Sequence, residues 1–206
     1  MSTAINPDSE MRRLLDVMPA SGRMNSKLVN DAAQSAVIEC GGSLLNLENR
    51  PISINFDLWS QLPQAQRDLL LLRTVGWLKS SRWLKPELYQ VGVVVGLLGT
   101  LVELAQGDAV GLVVAAGLGA IATQQIWRNS RGLAVELEAD HLALKVAQRR
   151  GYSKADAAQH LATAIKTAVQ LEGRTGLNVN ELLRCQNLDA ISAQLTGDLA
   201  NESKSH

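Results

Sequence analysis

The stretch between residues 88 and 127 limits what this chain can fold into more than any other part of it. Fifteen residues from Leu88 to Val102 carry no charge, Glu103 and Asp108 follow, and nineteen more uncharged residues run from Ala109 to Trp127. Such a window reads as two apolar helices joined by an acidic turn. At about 1.5 Å per residue the first reaches roughly 22 Å, short of the approximately 30 Å hydrocarbon core of a bilayer, and the second nearly spans it. Gly92, Gly96 and Gly99 in the first, with Gly111, Gly117 and Gly119 in the second, would let the two helices approach closely. Lys79, Arg82 and Lys85 precede the pair and Arg128 and Arg131 follow it, while its turn holds only acids. That asymmetry fits a hairpin entered from the cytoplasmic side, and Trp83 and Trp127 border it as interfacial aromatics do. The same window also fits a helical hairpin buried in protein, at a soluble core or an oligomer interface.

Composition removes several classes of function. Twenty basic residues balance twenty acidic ones, so the chain lacks the broad cationic field of a nucleic-acid binder, and DNA or RNA is not an expected partner. Its two cysteines, Cys40 and Cys185, form no disulfide framework and no CxxC cluster, which fits a reducing compartment. The three histidines, His141, His160 and His206, are too far apart for an HxxxH pair, so the usual helix-borne zinc site is absent and no metal or cofactor is expected. The 46% of apolar residues suffice for a core in one domain.

The segments outside the hairpin read as mainly α with a small β element. Residues 1–49 read as an N-terminal arm with one short amphipathic helix, Glu10–Val17, ending before Pro19, and no export signal precedes it. Residues 50–87 hold an alternating strand, Pro51–Phe56, then a leucine-rich helix, Gln64–Lys79, started by Pro63. Residues 128–196 hold three helices. Leu133, Leu137, Leu144 and Ala147 recur at helical spacing up to Gly151, Ser153 and Asp156 form a capping box for a helix running to Gly173, and Asn178 with Glu181 announces a last helix, Val179–Leu195. Small polar residues from 197 to 206 suggest a disordered tail.

Only one stretch is dense enough in polar groups to suggest chemistry. In Glu136-Leu137-Glu138-Ala139-Asp140-His141, Glu136 and Asp140 share one helical face and Glu138 and His141 share another. Like charges at that spacing repel unless a cation lies beside them, and Lys145, Arg149 and Arg150 are near enough in sequence to supply one.

Glu136-Leu137-Glu138-Ala139-Asp140, with Arg149-Arg150-Gly151-Tyr152-Ser153 after it, resembles the ExxAD helix and its sequel in the membrane zinc metallopeptidases of the CAAX-processing and heat-shock protease superfamily. The similarity covers roughly residues 50–172 and follows that order of parts, namely a strand, an HExxH helix, an apolar hairpin and the ExxAD helix. It implies a metallopeptidase-like helical core in which Glu136 matches the third zinc ligand. RPISINFDLW, QRDLLLLRTVGWL and LLRCQNL resemble more closely an uncharacterised cyanobacterial family of unknown function, which implies a thylakoid or plasma membrane setting, and the basic residues flanking the hairpin put the polar parts on the cytoplasmic side.

The peptidase pattern fails where chemistry would occur. With the usual glycine of the HExxH segment laid on Gly76, the two histidines become Arg73 and Trp77 and the catalytic glutamate becomes Thr74. Arginine has no lone pair for a metal, tryptophan is no zinc ligand, and threonine is no general base near neutral pH. The degenerate positions Arg73, Thr74, Trp77, Glu136 and Asp140 therefore imply a pseudoenzyme. Its Arg73 guanidinium would stand in for the missing cation beside Glu136 or Asp140, or else lie exposed near Asp68. The expected function is a non-catalytic interaction, assembly or quality-control factor with other membrane proteins as partners, gripping an extended peptide at a strand edge near Ile52, Ile54 and Phe56. The alternatives are a residual metal-dependent hydrolase using Glu136, Asp140 and His141, and a cytoplasmic homo-oligomeric helical scaffold. Cys40 falls in an expected loop, and His160, Cys185 and Trp59 carry no signal beyond packing.

Overall fold

The computed structural model describes residues 5–40, 50–83 and 132–202, with side chains described up to Ser80 and up to Leu195 in the last two segments. The apolar hairpin expected over 88–127, with Trp83 and Trp127 as its flanking side chains, lies outside this description. The chain divides into two compact units, Met1–Ser80 with Glu136–His206, and Ser81–Val135. The first unit holds the sheet and the buried core.

Helix α1 spans Pro7–Val17, one turn longer at its start than apolar spacing alone indicates. The Asn6 side chain accepts from the Asp8 and Ser9 N–H groups, and Pro7 occupies the first turn where its missing N–H does no harm. Helix α2 (Ala20–Asn25) leads directly into β1 (Ser26–Asn30), and β2 (Ile38–Cys40) follows. Residues 1–49 are therefore more than an arm, since they supply two strands of a sheet, and Cys40 ends a strand instead of lying in a loop.

Strand β3 (Arg50–Ile54) lies between the other two, parallel to β1 with Leu28 opposite Ile52 and antiparallel to β2 with Cys40 opposite Ile52. Two consequences correct the sequence reading. Ile52 and Ile54 are wholly buried in a strand paired on both sides, so they offer no edge to a peptide. Phe56, also buried, starts helix α3 (Phe56–Trp59), because the Asn55 carboxamide accepts from the Asp57 and Leu58 N–H groups and ends the strand. The Asn55 Nδ2 also donates to the Gln34 carbonyl at 2.8 Å, which ties the β1–β2 connection to the strand end.

Helix α4 (Gln64–Trp83) outlasts its expected end at Lys79 by four residues. Leu69, Leu70, Leu71 and Leu72 are all buried, so more than one face of the helix meets protein. Helix α5, at 132–148, brings a stripe of small residues, Ala139, Ala143 and Ala147, all fully buried. That stripe allows close helix contact, and a Cβ on Gly76 of α4 would lie 2.8 Å from the Ala139 carbonyl oxygen.

Helix α6 (Lys154–Leu171) begins at the anticipated box, where Ser153 Oγ accepts from the Asp156 N–H at 3.0 Å. Helix α7 (Val179–Glu202) begins at the other, with Asn178 and Glu181 exchanging hydrogen bonds of 2.8 and 2.9 Å. It continues past Gly197 to Glu202 where a disordered tail was expected, since one glycine inside a helix costs only about 1 kcal/mol. Helices α6 and α7 join through a short connection and bury Leu161, Ala162 and Ile165 with Cys185 and Leu188 in the common core.

An ionic network fastens α1 to the rest of the unit. The buried Glu10 carboxylate accepts from Arg13, from Arg67 Nη1 at 2.7 Å and from Trp59 Nε1 at 3.3 Å. Arg13 reaches on to Asp68 at 2.6 Å, and the Tyr152 hydroxyl donates to the other Asp68 oxygen at 2.9 Å. Arg150 donates to the Val17 and Met18 carbonyls at the end of α1.

Two outcomes are expected. Gly76→Ala forces α4 and α5 apart against a backbone atom, and should lower unfolding free energy by about 1–3 kcal/mol in urea titration. Burial raises the Glu10 carboxyl, but hydrogen bonds from Arg13 and the charges of Arg13 and Arg67 outweigh it and hold it below its ordinary 4.5. A depressed carboxyl stabilises the fold fully above its unfolded value and loses that contribution as pH falls through the folded one. Stability measured from pH 7 downward should therefore drop below about pH 4.5, and the drop should be shallower in Glu10→Gln.

Candidate functional site

The chemistry-bearing residues of α4, α5 and α7 meet in one cluster. Glu136 and Asp140 lie one turn apart on α5 and point to the same side, as their spacing requires. From α4, the Arg73 Nη2 pairs with Glu136 Oε2, and the Arg73 Nε lies 4.0 Å from Asp140 Oδ1. From α7, Arg184 grips Asp140 with both arms of its fork, Nε to Oδ2 and Nη2 to Oδ1, each at 2.7 Å, while its Nη1 lies 3.4 Å from Glu136 Oε2. Two guanidinium groups thus face two carboxylates.

Burial ranks the four. Asp140 is 1% exposed and Arg184 5%, whereas the side chains of Arg73 and Glu136 keep 22% and 21% of their surface. The Asp140–Arg184 pair is therefore the dry centre, and Arg73–Glu136 is its rim. Burial and the adjacent Arg184 push the Arg73 guanidinium down to about 10, which still leaves it charged near neutrality. The cluster is electrically balanced without any ion.

Its other members fall elsewhere. Thr74 is buried and its Oγ1 donates to the Leu70 carbonyl at 2.8 Å, so the hydroxyl is spent on its own helix. Trp77 is half-buried on α4. His141 and Glu138 are exposed on α5, and His141 does not join Glu136 and Asp140. His160 packs edge-on against Tyr152, with ring centroids 6.4 Å apart. Lys145, Arg149 and Arg150 are exposed and do not neutralise the acidic pair; Arg150 serves the α1 terminus instead. Cys185 is buried beside the Ala162 carbonyl, and burial raises its thiol. Burial likewise pushes the Cys40 thiol up to about 11, against the charges of Arg73 and Arg50. Neither thiol is poised as a nucleophile.

Among the described residues no group of three His, Cys, Asp or Glu side chains has a geometry that would hold a metal ion. Among them, too, no helix is long and apolar enough to cross a membrane.

Sequence reasoning anticipated Arg73 beside the acidic pair but missed Arg184. The signal was present, because an arginine placed between Leu183 and Cys185 and one turn before Leu188 shares the face that packs on α6.

Residues 12–152 match the family described as Protein of unknown function (DUF3318). The chain belongs to that family. Thylakoid membrane protein slr1949 of Synechocystis sp. (strain ATCC 27184 / PCC 6803 / Kazusa) is 29% identical to it over 182 residues, which cover 82% of this chain and 81% of that protein. No solved structure matches. The likeness to zinc metallopeptidases thus rests on the sequence motif, with no structural neighbour behind it.

Removing Arg184 leaves Asp140 charged and dry. Arg184→Ala should cost about 3–5 kcal/mol in chemical denaturation, and Arg73→Ala less because its rim pair is partly solvated. Replacing the centre with hydrocarbon, Asp140→Leu with Arg184→Met, should recover most of that loss. A recovery that fails would mean the pair does more than neutralise itself.

Proposed function

We propose that this protein is a non-catalytic, membrane-associated factor of the thylakoid that acts by binding other membrane proteins. The observation that carries this reading is the closed charge cluster. A hydrolytic metal bound by Glu136 and Asp140 would have to displace Arg73 and Arg184, and the displaced Arg184 guanidinium would be left charged and poorly solvated in the helical core. The resemblance to ExxAD peptidases makes the cluster a degenerate active site. Thr74 then stands where a catalytic glutamate would, and Arg73 and Trp77 stand where two histidines would bind zinc.

The relative's description as a thylakoid membrane protein supports the location. Attachment is assigned to the apolar residues 88–127, and the basic residues flanking them favour polar parts on the cytoplasmic side. A protein of this kind suits assembly or quality control, where a fixed scaffold presents a binding surface and releases its client unchanged.

Two measurements on the full chain test it. After expression in a cyanobacterial host, carbonate-washed membranes should retain the protein, and metal analysis of the purified protein should find no stoichiometric transition metal. Zinc at one equivalent that disappears in Glu136→Ala, together with peptide hydrolysis lost in the same variant, would replace this reading with a metal-dependent hydrolase.

A further inference from the structure

The sheet that pairs β3 on both sides leaves β1 at its end. Its order is β1-β3-β2, so among the described residues the outer side of β1 pairs with no strand. The phase of its backbone follows from one bond. Asp31 N–H donates to the Ile54 carbonyl at 3.0 Å, and in a parallel pair alternate residues turn both polar groups toward the partner. Lys27, Val29 and Asp31 therefore face β3, while Leu28 and Asn30 turn their N–H and C=O groups outward. Ser26 shares that outward phase, and its N–H is already taken by the Gly22 carbonyl at the end of α2. No backbone hydrogen bond from any turn, loop or cap in the described residues reaches Leu28 or Asn30.

Beside this edge runs an open groove of about 360 Å³ between α1 and β1. Met11, Leu15 and Leu28 give it apolar walls, and Leu15 keeps 37% of its surface exposed. Arg12 and Lys27 flank it. Both are exposed and make no ion pair among the described residues, and they face a single acid, Asp8. Unpaired backbone donors and acceptors, an apolar trough and two cations that share one acid together describe what an added strand would need.

We propose that the β1 edge receives an extended segment of a partner protein, in which an apolar side chain enters the Met11–Leu15–Leu28 trough and flanking carboxylates meet Arg12 and Lys27. This names the binding surface of the factor proposed above and rests on that reading. Main-chain hydrogen bonds to Leu28 and Asn30 supply affinity for any extended chain, and the two cations select acidic ones.

The probe is the peptide fluorescein-Glu-Leu-Glu-Leu-Glu-amide, labelled at its N-terminus and titrated with the full chain by fluorescence anisotropy. Its lysine counterpart and a copy N-methylated at alternate amides serve as comparisons. The acidic peptide should bind saturably, and both comparisons should bind at least about tenfold more weakly. The double variant Arg12→Glu, Lys27→Glu should reverse the charge preference, since both side chains are exposed and outside the core. Asn30→Pro removes an outward N–H that the sheet does not use, so it should weaken binding with melting temperature unchanged. Absence of binding by all three peptides, or equal binding of the N-methylated copy, overturns the proposal. Binding of phosphatidylglycerol vesicles through Arg12 and Lys27 without any peptide binding overturns it too, and assigns the basic rim to a lipid surface. Mass spectrometry of the recovered probe keeps the two readings apart. A bound and intact peptide supports both, whereas a bound and cleaved one leaves the docking surface standing and removes the non-catalytic function.

Discussion

A carboxylate that is 1% exposed inside a helical unit needs a partner of opposite charge in fixed geometry, and Asp140 has one in the Arg184 fork. The requirement reaches well beyond one pair. Arg184 can approach Asp140 only if α7 lies against α6 through Cys185 and Leu188, and Asp140 can receive it only if α5 turns its small residues to the core. Unpaired, either charge would cost several kcal/mol of desolvation, comparable to the whole net stability of many domains. The cluster therefore selects one arrangement of three helices among the many that alanine-rich surfaces would tolerate equally well by packing alone.

The same physics separates this site from the chemistry that its motif suggests. Two acids one helical turn apart are half of a metal site, and what decides their role is the charge brought to them by other elements. A divalent ion would leave open coordination positions for water and substrate. Two guanidinium groups supply comparable charge with directional hydrogen bonds, and here they occupy the carboxylate oxygens. What the four groups do in this structure is neutralise one another across three helices.

Local signals were legible and long-range ones were not. The Ser153–Asp156 and Asn178–Glu181 boxes are contained within four residues, so spacing alone placed the starts of α6 and α7. The Arg73–Glu136 pairing was accessible because a motif aligned two distant helices. By contrast, β1 and β2 are short, and their residues pair with β3 across separations that no local pattern records. Without them β3 reads as an edge, and Ile52, Ile54 and Phe56, which are buried, read as open to a peptide. Asn55 carries the remaining lesson. It follows an alternating strand and looks like its continuation, yet its side chain caps α3 and makes Phe56 the first residue of a helix. The hairpin at 88–127 remains an expectation from composition.

Helix α4 joins these parts. Arg67 and Asp68 tie it to α1 through Glu10 and Arg13, Asp68 also ties it to the α5–α6 connection through Tyr152, and Arg73 ties it to α5, all within about 9 Å of helix axis at 1.5 Å per residue. Between the two networks Leu69, Leu71 and Leu72 fill the core, and one turn beyond Arg73 the absent side chain of Gly76 lets the Ala139 backbone come close. A helix held by charges on two faces, one of which also makes close backbone contact, cannot slide by a residue without breaking all these contacts at once. Because α1 is fastened to α4 and forms one wall of the groove beside β1, the fixed register of α4 also keeps that groove open and aligned with the strand edge. Preformed geometry of this kind lowers the ordering cost of any ligand the groove receives.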